Sequence, residues 1–383
     1  MPSLRKSLVG AVLAAAIATM TTPASTGATA PAHPLQALAD ALVARDPVVP
    51  SVVIRAVSPS AGIDWSASAA GAREGGLRPL VDRPFRIASV TKLFVGAALL
   101  RLVEEDQIGL DAPLPGLVSP STEASLRRGG HDAARITLRQ LLAHTSGLPD
   151  HSQLPAYGAA VTANLQRRWQ RDEQIAFGME GTGPAGKPGE SWSYSDTGYV
   201  ILGEVIERHT GLSLAAALRS LLPLDQLGLR DTWLETLESS PRPGGSPPRL
   251  AQYLGDLDVT GADPSFDLWG GGGLVSTVDD LTRFMRALLG GKVFRHLSTL
   301  QLAMSAPRPV ATGADLKHGL IFFHDRIAGH ACISHAGFWN VDLVACPDLD
   351  LVVALSLNQS MTAKADERRQ LLAAIVDAIA KSR

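Results

Sequence analysis

An apolar-rich stretch over residues 89–105 constrains the fold most, because it contains no proline and is apolar on nearly every side. It follows the short apolar run at residues 85–88 and predicts a buried helix whose first turn carries Ser89. Lys92 lies three residues later, so both side chains lie on one face of that helix.

This pair of residue types suits nucleophilic catalysis. A serine hydroxyl needs a neighbouring base, and a lysine that is desolvated in an apolar helix can lose its charge and act as one. Free N–H groups of the first helical turn would also favour an oxyanion at Ser89. The alternative is that Ser89 only caps the helix while the aliphatic part of Lys92 extends to the surface.

Length and composition allow a substantial core. The chain has 383 residues, of which 45% are hydrophobic and 19% charged, and its formal net charge is −2. These values fit one large domain or two modest ones. The near-neutral charge gives no electrostatic reason to expect nucleic acid or an acidic membrane surface as a partner.

The N-terminus has the pattern of an export signal. Arg5 and Lys6 precede an apolar run over residues 8–20, and small residues follow over 21–32. We therefore predict a signal peptide over residues 1–30 and a secreted or periplasmic mature protein without a stable membrane span. The alternative, a retained anchor, requires a longer apolar run than this one.

The chain has two cysteines, Cys332 and Cys346, each seven residues from Trp339. Two strand-like runs flank Trp339, and a hairpin centred there would place the cysteines directly opposite each other. An exported protein favours a cross-strand disulfide; two buried free thiols are the alternative.

Strand-like segments lie at both ends of the chain and helical segments lie between them. Strands are predicted at residues 52–57, 63–68, 320–325, 331–335, 341–346 and 351–357, and helices at 35–43, 138–143, 199–210, 214–222 and 371–379. Residues 117–135 are predicted to form an exposed loop.

This order predicts an α/β protein of the α+β type, with one antiparallel sheet that both termini complete. The predicted domain spans residues 31–383. Its sheet part comprises residues 35–87 and 265–383, and its inserted helical part comprises residues 88–264.

Two further motifs carry reactive side chains. Tyr194 lies just before a predicted helix, with Asp196 two residues later, and a tyrosine near a lysine ammonium has a lowered pKa and can shuttle protons as a phenolate. His335 ends a strand-like run and is followed by Ala336 and Gly337; a histidine can position or protonate a substrate, and a glycine lets it approach the backbone. Alone, Tyr194 fits a core aromatic residue and His335 a structural histidine.

Taken together, in this order and spacing, the three motifs resemble those of the penicillin-recognising serine hydrolases. The most similar branch comprises class C β-lactamases, DD-carboxypeptidases of the Streptomyces type and related esterases. Further matching segments lie at residues 84–92, 141–149, 272–277 and 337–339. The resemblance implies a β-lactamase/transpeptidase-like fold, in which terminal helices flank the central sheet and an all-helical part is inserted.

The resemblance also implies roles for individual residues. Ser89 would be the acylated nucleophile and Lys92 its proton acceptor. Tyr194 would relay protons and help to activate the deacylating water. The oxyanion hole would consist of the backbone N–H groups of Ser89 and Phe338, with His335 lining the opposite wall.

Three positions depart from the common pattern of this family. Asp196 stands where asparagine is common and, when ionised, would hold Lys92 charged. His335 replaces the lysine of class C β-lactamases, and Ala336 lacks the hydroxyl that often binds a substrate carboxylate. We therefore predict a secreted hydrolase of esters or amides, with D-amino-acid peptides next and β-lactams third.

Two alternatives of other classes stay open: a non-catalytic ligand-binding member of the fold, and an acyltransferase. No cofactor is implied, since Pro188 stands where a phosphate-binding loop over residues 181–188 needs serine or threonine. No metal is implied either, because the histidines lack metal-ligand spacing. The expected partner is a small-molecule or peptide substrate.

Overall fold

The computed structural model describes residues 33–74, 81–180, 183–305, 307–311 and 315–383. The predicted signal peptide lies outside these ranges. Among the described residues, none of the helices combines the length and the apolar character needed to cross a membrane.

The strands are mostly concentrated near the two ends of the described chain. In chain order they are β1 (Ser51–Ser58), β2 (Ile63–Ala70), β3 (Phe85–Arg86), β4 (Trp233–Leu234), β5 (Tyr253–Leu254), β6 (Leu257–Asp258), β7 (Leu274–Ser276), β8 (Arg308–Pro309), β9 (Lys317–His318), β10 (Phe323–Ile327), β11 (His330–Gly337), β12 (Val341–Cys346) and β13 (Leu351–Ser356).

The helices lie before, between and after these strands. They are α1 (Pro34–Arg45), α2 (Thr91–Glu104), α3 (Pro120–Arg128), α4 (Leu138–Leu142), α5 (Pro155–Ala163), α6 (Arg171–Met179), α7 (Asp196–Thr210), α8 (Leu214–Leu221), α9 (Val278–Leu289), α10 (Leu297–Ala303) and α11 (Met361–Lys381).

The main sheet brings the two ends of the chain together. Its strand order is β2-β1-β13-β12-β11-β10-β9-β8, and β1 pairs antiparallel with β13, with Val53 opposite Ser356. β1 and β2, which correspond to the strands predicted at residues 52–57 and 63–68, pair as a hairpin closed at Ser58 opposite Ile63. Residues His33–Arg383 form one compact unit, within which the division into sheet and helical parts stays a prediction.

Side chains on the two faces of the sheet enter different hydrophobic clusters, because successive strand residues point to opposite faces. On β1, Ile54 belongs to the cluster that includes Leu35 of α1 and Ile375 of α11. Val53 belongs to the cluster of the inserted helices. In that second cluster the rings of Phe94 and Phe284 stack, with centroids 3.7 Å apart.

The prediction of an exposed loop over residues 117–135 is wrong. Residues 120–128 form α3, whose first N–H groups are capped by Ser119: its hydroxyl accepts a hydrogen bond from the Thr122 N–H at 3.2 Å. Pro120 occupies the start of the helix, where its missing N–H costs nothing. Leu126 is fully buried and holds the helix against the core.

The two cysteines are covalently joined. Cys332 of β11 and Cys346 of β12 form a disulfide, with their Cα atoms 4.2 Å apart. β11 and β12 are neighbours in the main sheet, so the bond crosslinks adjacent strands. One of these strands is β11, which carries His335 and Gly337.

Candidate active site

Ser89 lies in a tight turn at the entrance of α2. The turn is a 3₁₀ helix over Ala88–Val90, placed between β3 and α2. Ala88 has φ of 46°, a left-handed conformation that is strained for a residue with a Cβ. Ser89 is partly exposed and lines a cavity of about 470 Å³.

Lys92 is fully buried directly below this serine. Its Nζ donates hydrogen bonds to Ser89 Oγ at 3.0 Å and to the carbonyl of Gly271 at 2.6 Å. It also forms an ion pair with the Asp196 carboxylate, at the first residue of α7. An ammonium group has three donors, and these three contacts use all of them.

Asp196 keeps a negative charge in this setting. Burial alone would raise the pKa of Asp196, but Lys92, His151 and a hydrogen bond from Ser152 outweigh burial and hold it below its usual value. An anion in direct contact with Lys92 favours the charged form of the lysine.

Tyr194 is partly buried beside Ser89 and Lys92. Tyr194 and Ser89 line the same cavity, and Lys92 Nζ lies 5.0 Å from the centroid of the Tyr194 ring. The sequence-based expectation of a lowered pKa is wrong: burial and, next, the negative charge of Asp196 raise the pKa of Tyr194 well above its ordinary value. Near neutral pH the residue is therefore a neutral phenol, which can donate a hydrogen bond or a proton.

His335 is a buried neutral imidazole in the wall of the same cavity. Burial and then the charge of Lys92 lower the pKa of His335 to about 3. Its Nδ1 lies 2.9 Å from the carbonyl of Ala336; because a carbonyl only accepts, Nδ1 carries the proton. Nε2 then presents a lone pair that has no partner within the described residues. This position supplies no fixed positive charge near neutral pH.

Gly337 allows the end of β11 to lie against the turn that carries Ser89. A Cβ at this position would collide with the carbonyl oxygen of Ile87. The next residue, Phe338, lines the cavity. The Phe338 carbonyl accepts a hydrogen bond from the N–H of Met361 at 2.6 Å, which ties this turn to the start of α11.

We expect Gly337→Ala to lower kcat/KM for esters by roughly a hundredfold, because the new Cβ separates β11 from the Ser89 turn and an error near 1 Å in the site has an effect of this size. Steady-state kinetics on folded protein would measure it. Gly261→Ala is the matched control, since a Cβ there meets open space. Unchanged kinetics in Gly337→Ala would contradict this account of the glycine.

Two supporting groups were not identified as such from the sequence. His144 stacks on Tyr194, with ring centroids 4.3 Å apart, and its Nδ1 accepts a hydrogen bond from the N–H of Ser195 at 3.1 Å. The second group is the glycine run at residues 270–273, in which Gly271 supplies the carbonyl that binds Lys92. At Gly272 the carboxylate of Asp267 approaches closer than a Cβ would allow.

Two more carboxyl groups surround the Lys92–Asp196 pair, those of Asp150 and Asp267. Burial and, next, repulsion by Asp196 raise the pKa of each to about 7. The pattern of the sequence gives no local signal for either, because Asp150 and Asp267 are brought near Lys92 only by the fold. Within the described ranges, no group of three or more His, Cys, Asp or Glu side chains is arranged to hold a metal ion.

The chain belongs to the Beta-lactamase family, whose model matches residues 57–378. It is 30% identical to esterase EstB of Burkholderia gladioli over 244 residues, which cover 56% of this chain and 59% of EstB. The match thus spans little more than half the length of this relative and of Protein Rv1367c of Mycobacterium tuberculosis.

Solved structures share the fold over nearly their whole length. A D-stereospecific amidohydrolase from Streptomyces sp. is 29% identical with a TM-score of 0.72, and the match covers 86% of this chain and 95% of that one. The D-amino acid amidase from Ochrobactrum anthropi SV3, complexed with L-phenylalanine amide, is 25% identical with a TM-score of 0.75, over 91% and 98% of the two chains. These likenesses confirm the predicted family and fold class.

Proposed function

We propose that this protein is a serine hydrolase that cleaves an ester or amide bond through an acyl-enzyme on Ser89. The observation that carries the proposal is the 3.0 Å contact between Lys92 Nζ and Ser89 Oγ in the wall of an open cavity. The similarity to an esterase, to a D-stereospecific amidohydrolase and to a D-amino acid amidase supports it.

In the proposed acylation step, the uncharged form of Lys92 takes the hydroxyl proton of Ser89 while Oγ bonds to the substrate carbonyl carbon. The carbonyl oxygen becomes an oxyanion that the backbone N–H groups of Ser89 and Phe338 stabilise. The bond to the leaving group then breaks. Tyr194 donates a proton to that group and is reprotonated from Lys92.

In the proposed deacylation step, water attacks the acyl carbon and the ester bond to Ser89 Oγ breaks. A proton of the water passes to uncharged Lys92, either directly or through the Tyr194 hydroxyl, which gives up its own proton as it accepts one. Lys92 then returns a proton to Ser89 Oγ by the same route. The products are a carboxylic acid and the free enzyme. The neutral phenol of Tyr194 suits this role, because it can both donate and accept a hydrogen bond.

The proposed substrates are uncharged around the scissile bond. His335 is neutral and Ala336 has no hydroxyl, so neither supplies the donor or the fixed charge that a substrate carboxylate would need. Simple esters and uncharged amides come first in the proposed order, D-amino-acid peptides second and β-lactams third.

We also propose that the mature protein is secreted or periplasmic. The disulfide between Cys332 and Cys346 supports this location, because such bonds persist mainly in oxidising compartments.

Turnover of three substrate types tests the proposed function: a panel of p-nitrophenyl esters, D-phenylalanine amide and a chromogenic cephalosporin. We expect measurable hydrolysis of the esters and of the amide, with kcat/KM for the cephalosporin lower than for the best ester by about a hundredfold, a ratio typical of a polar group left without its partner. Folded protein that cleaves none of the esters and amides would refute the proposal. A cephalosporin preferred over every ester would refute the substrate order.

A further inference from the structure

A set of polar groups connects the Lys92–Asp196 pair with the carboxyl group of Asp150. Asp150 immediately precedes a 3₁₀ turn over His151–Gln153, and its Oδ1 accepts the N–H of Ser152 at 2.9 Å. Its Oδ2 is buried and has no hydrogen-bond partner within the described residues. A simple cap of an exposed turn would not need a buried second oxygen.

Ser152 links this carboxyl to the catalytic pair. Its N–H donates to Asp150, and its side chain favours the charged form of both Asp196 and Asp150. Ser152 and Asp196 also line the same cavity as Ser89. A serine hydroxyl has only one proton, so Ser152 can donate to only one of the two carboxyl groups at a time.

We propose that Ser152 and Asp150 are positioning residues that set how strongly Asp196 holds Lys92 in its charged form. This inference rests on the proposed function, in which uncharged Lys92 is the base. While Asp150 is uncharged, the Ser152 proton points to Asp196 and disperses its negative charge. When Asp150 ionises, it competes for that proton, and Asp196 then interacts with Lys92 at full strength.

The charged and titratable groups around Asp150 permit such a change near neutral pH. Those that interact electrostatically with it are Lys92, Tyr194, Asp196 and Asp267, and His151 is the next residue in the chain. Burial lowers the pKa of His151 to about 4, so this imidazole is uncharged near neutral pH. Tyr194 is also neutral there, and Asp267 has a pKa of about 7, like Asp150. Lys92 is therefore the one cation among these groups.

The dependence of kcat/KM on pH, measured with p-nitrophenyl butyrate from pH 5 to pH 10, tests the inference. Asp150→Asn keeps the Oδ1 acceptor but cannot ionise, so Lys92 loses its charge more easily. We expect the acid limb of the profile to move to lower pH by about half a unit or more, the size of a screened interaction between two charges. Ser152→Ala removes a donor from Asp196, and the limb is expected to move to higher pH.

The double variant Asp150→Asn/Ser152→Ala distinguishes an effect that Ser152 transmits from a direct electrostatic effect of the Asp150 charge on Lys92. If Ser152 transmits the effect, the shift caused by Asp150→Asn is at least halved when residue 152 is already alanine. Asp132→Asn is the matched control, because Asp132 caps the 3₁₀ turn Ala133–Arg135 in the same way but is exposed. In the control variant, the acid limb of the kcat/KM profile is expected at the same pH as in the wild type.

Two single variants with lower kcat and unmoved acid limbs would overturn the inference while leaving the proposed hydrolase intact. An inactive wild type would instead refute the proposed function. In that case, thermal unfolding tests whether Asp150 ionises with a raised pKa in the folded protein. Its raised pKa means that the folded state binds more protons than the unfolded state between about pH 4 and pH 7. Stability is therefore lost as pH rises through that window.

Asp150→Asn removes this loss. We expect the Tm of Asp150→Asn to exceed that of the wild type by about 2 °C or more at pH 8, and by a smaller difference at pH 4. An equal change at both pH values would show that Asp150 does not ionise beside Asp196, and the inference would fail.

Discussion

Replacing Lys92 by methionine is expected to lower kcat/KM for p-nitrophenyl esters by about a thousandfold, the usual effect of losing a positioned proton acceptor. The same change is expected to reduce the free energy of unfolding by about 3–5 kcal/mol at pH 8. Lys92 is fully buried, and its loss leaves the Asp196 carboxylate without a cation. The Gly271 carbonyl loses its donor as well.

A double variant separates the two effects. Lys92→Met combined with Asp196→Asn removes both charges, so most of the lost stability should return while activity stays low. Urea unfolding and steady-state kinetics on the same preparations measure both quantities. Asp196→Asn alone should stay folded, and its acid limb should move to lower pH, because the anion that favours charged Lys92 is gone. A Lys92→Met protein as stable or as active as the wild type would contradict the account.

Ser89→Ala is expected to abolish hydrolysis, with kcat/KM at least about ten-thousandfold below the wild type, because no covalent intermediate can form. Stability should change by less than about 1 kcal/mol, since Ser89 is partly exposed and its Oγ makes few contacts. Kinetics and thermal unfolding together check that activity is lost without loss of the fold.

Ser334→Ala is the control for this change. Ser334 lines the same cavity but has no contact with Lys92 among the hydrogen bonds of the described residues, so its replacement should preserve ester hydrolysis within about threefold. Comparable losses in both serine variants would mean that the cavity, and not the hydroxyl of Ser89, determines activity.

Much of the fold is predictable because its strands and helices have clear apolar periods. The hairpin of β1 and β2 and the helices α7 and α11 follow from such periods and from turn residues. α3 is not predictable in this way, because its segment has no clear apolar period. Its segment is rich in serine, proline and charge, and only the capping contact of Ser119 and the burial of Leu126 make it helical.

The electrostatics of the site were less accessible to sequence reasoning than its residue types. The order of the motifs predicts that Ser89, Lys92 and Tyr194 belong together, and the structure does place them in contact. The pKa of Tyr194 depends on burial and on Asp196, which no local pattern specifies. Asp150 lies 58 residues from Lys92 in sequence, and only the packed fold reveals their coupling.

The central claim is that Ser89 becomes covalently acylated, and the mass of the intact protein after reaction with a fluorophosphonate ester tests it most directly. We predict that the wild type gains the mass of one phosphonyl group, that peptide mapping places this group on Ser89, and that Ser89→Ala gains none under the same conditions. An adduct on any other residue, or equal labelling of Ser89→Ala, would contradict the claim.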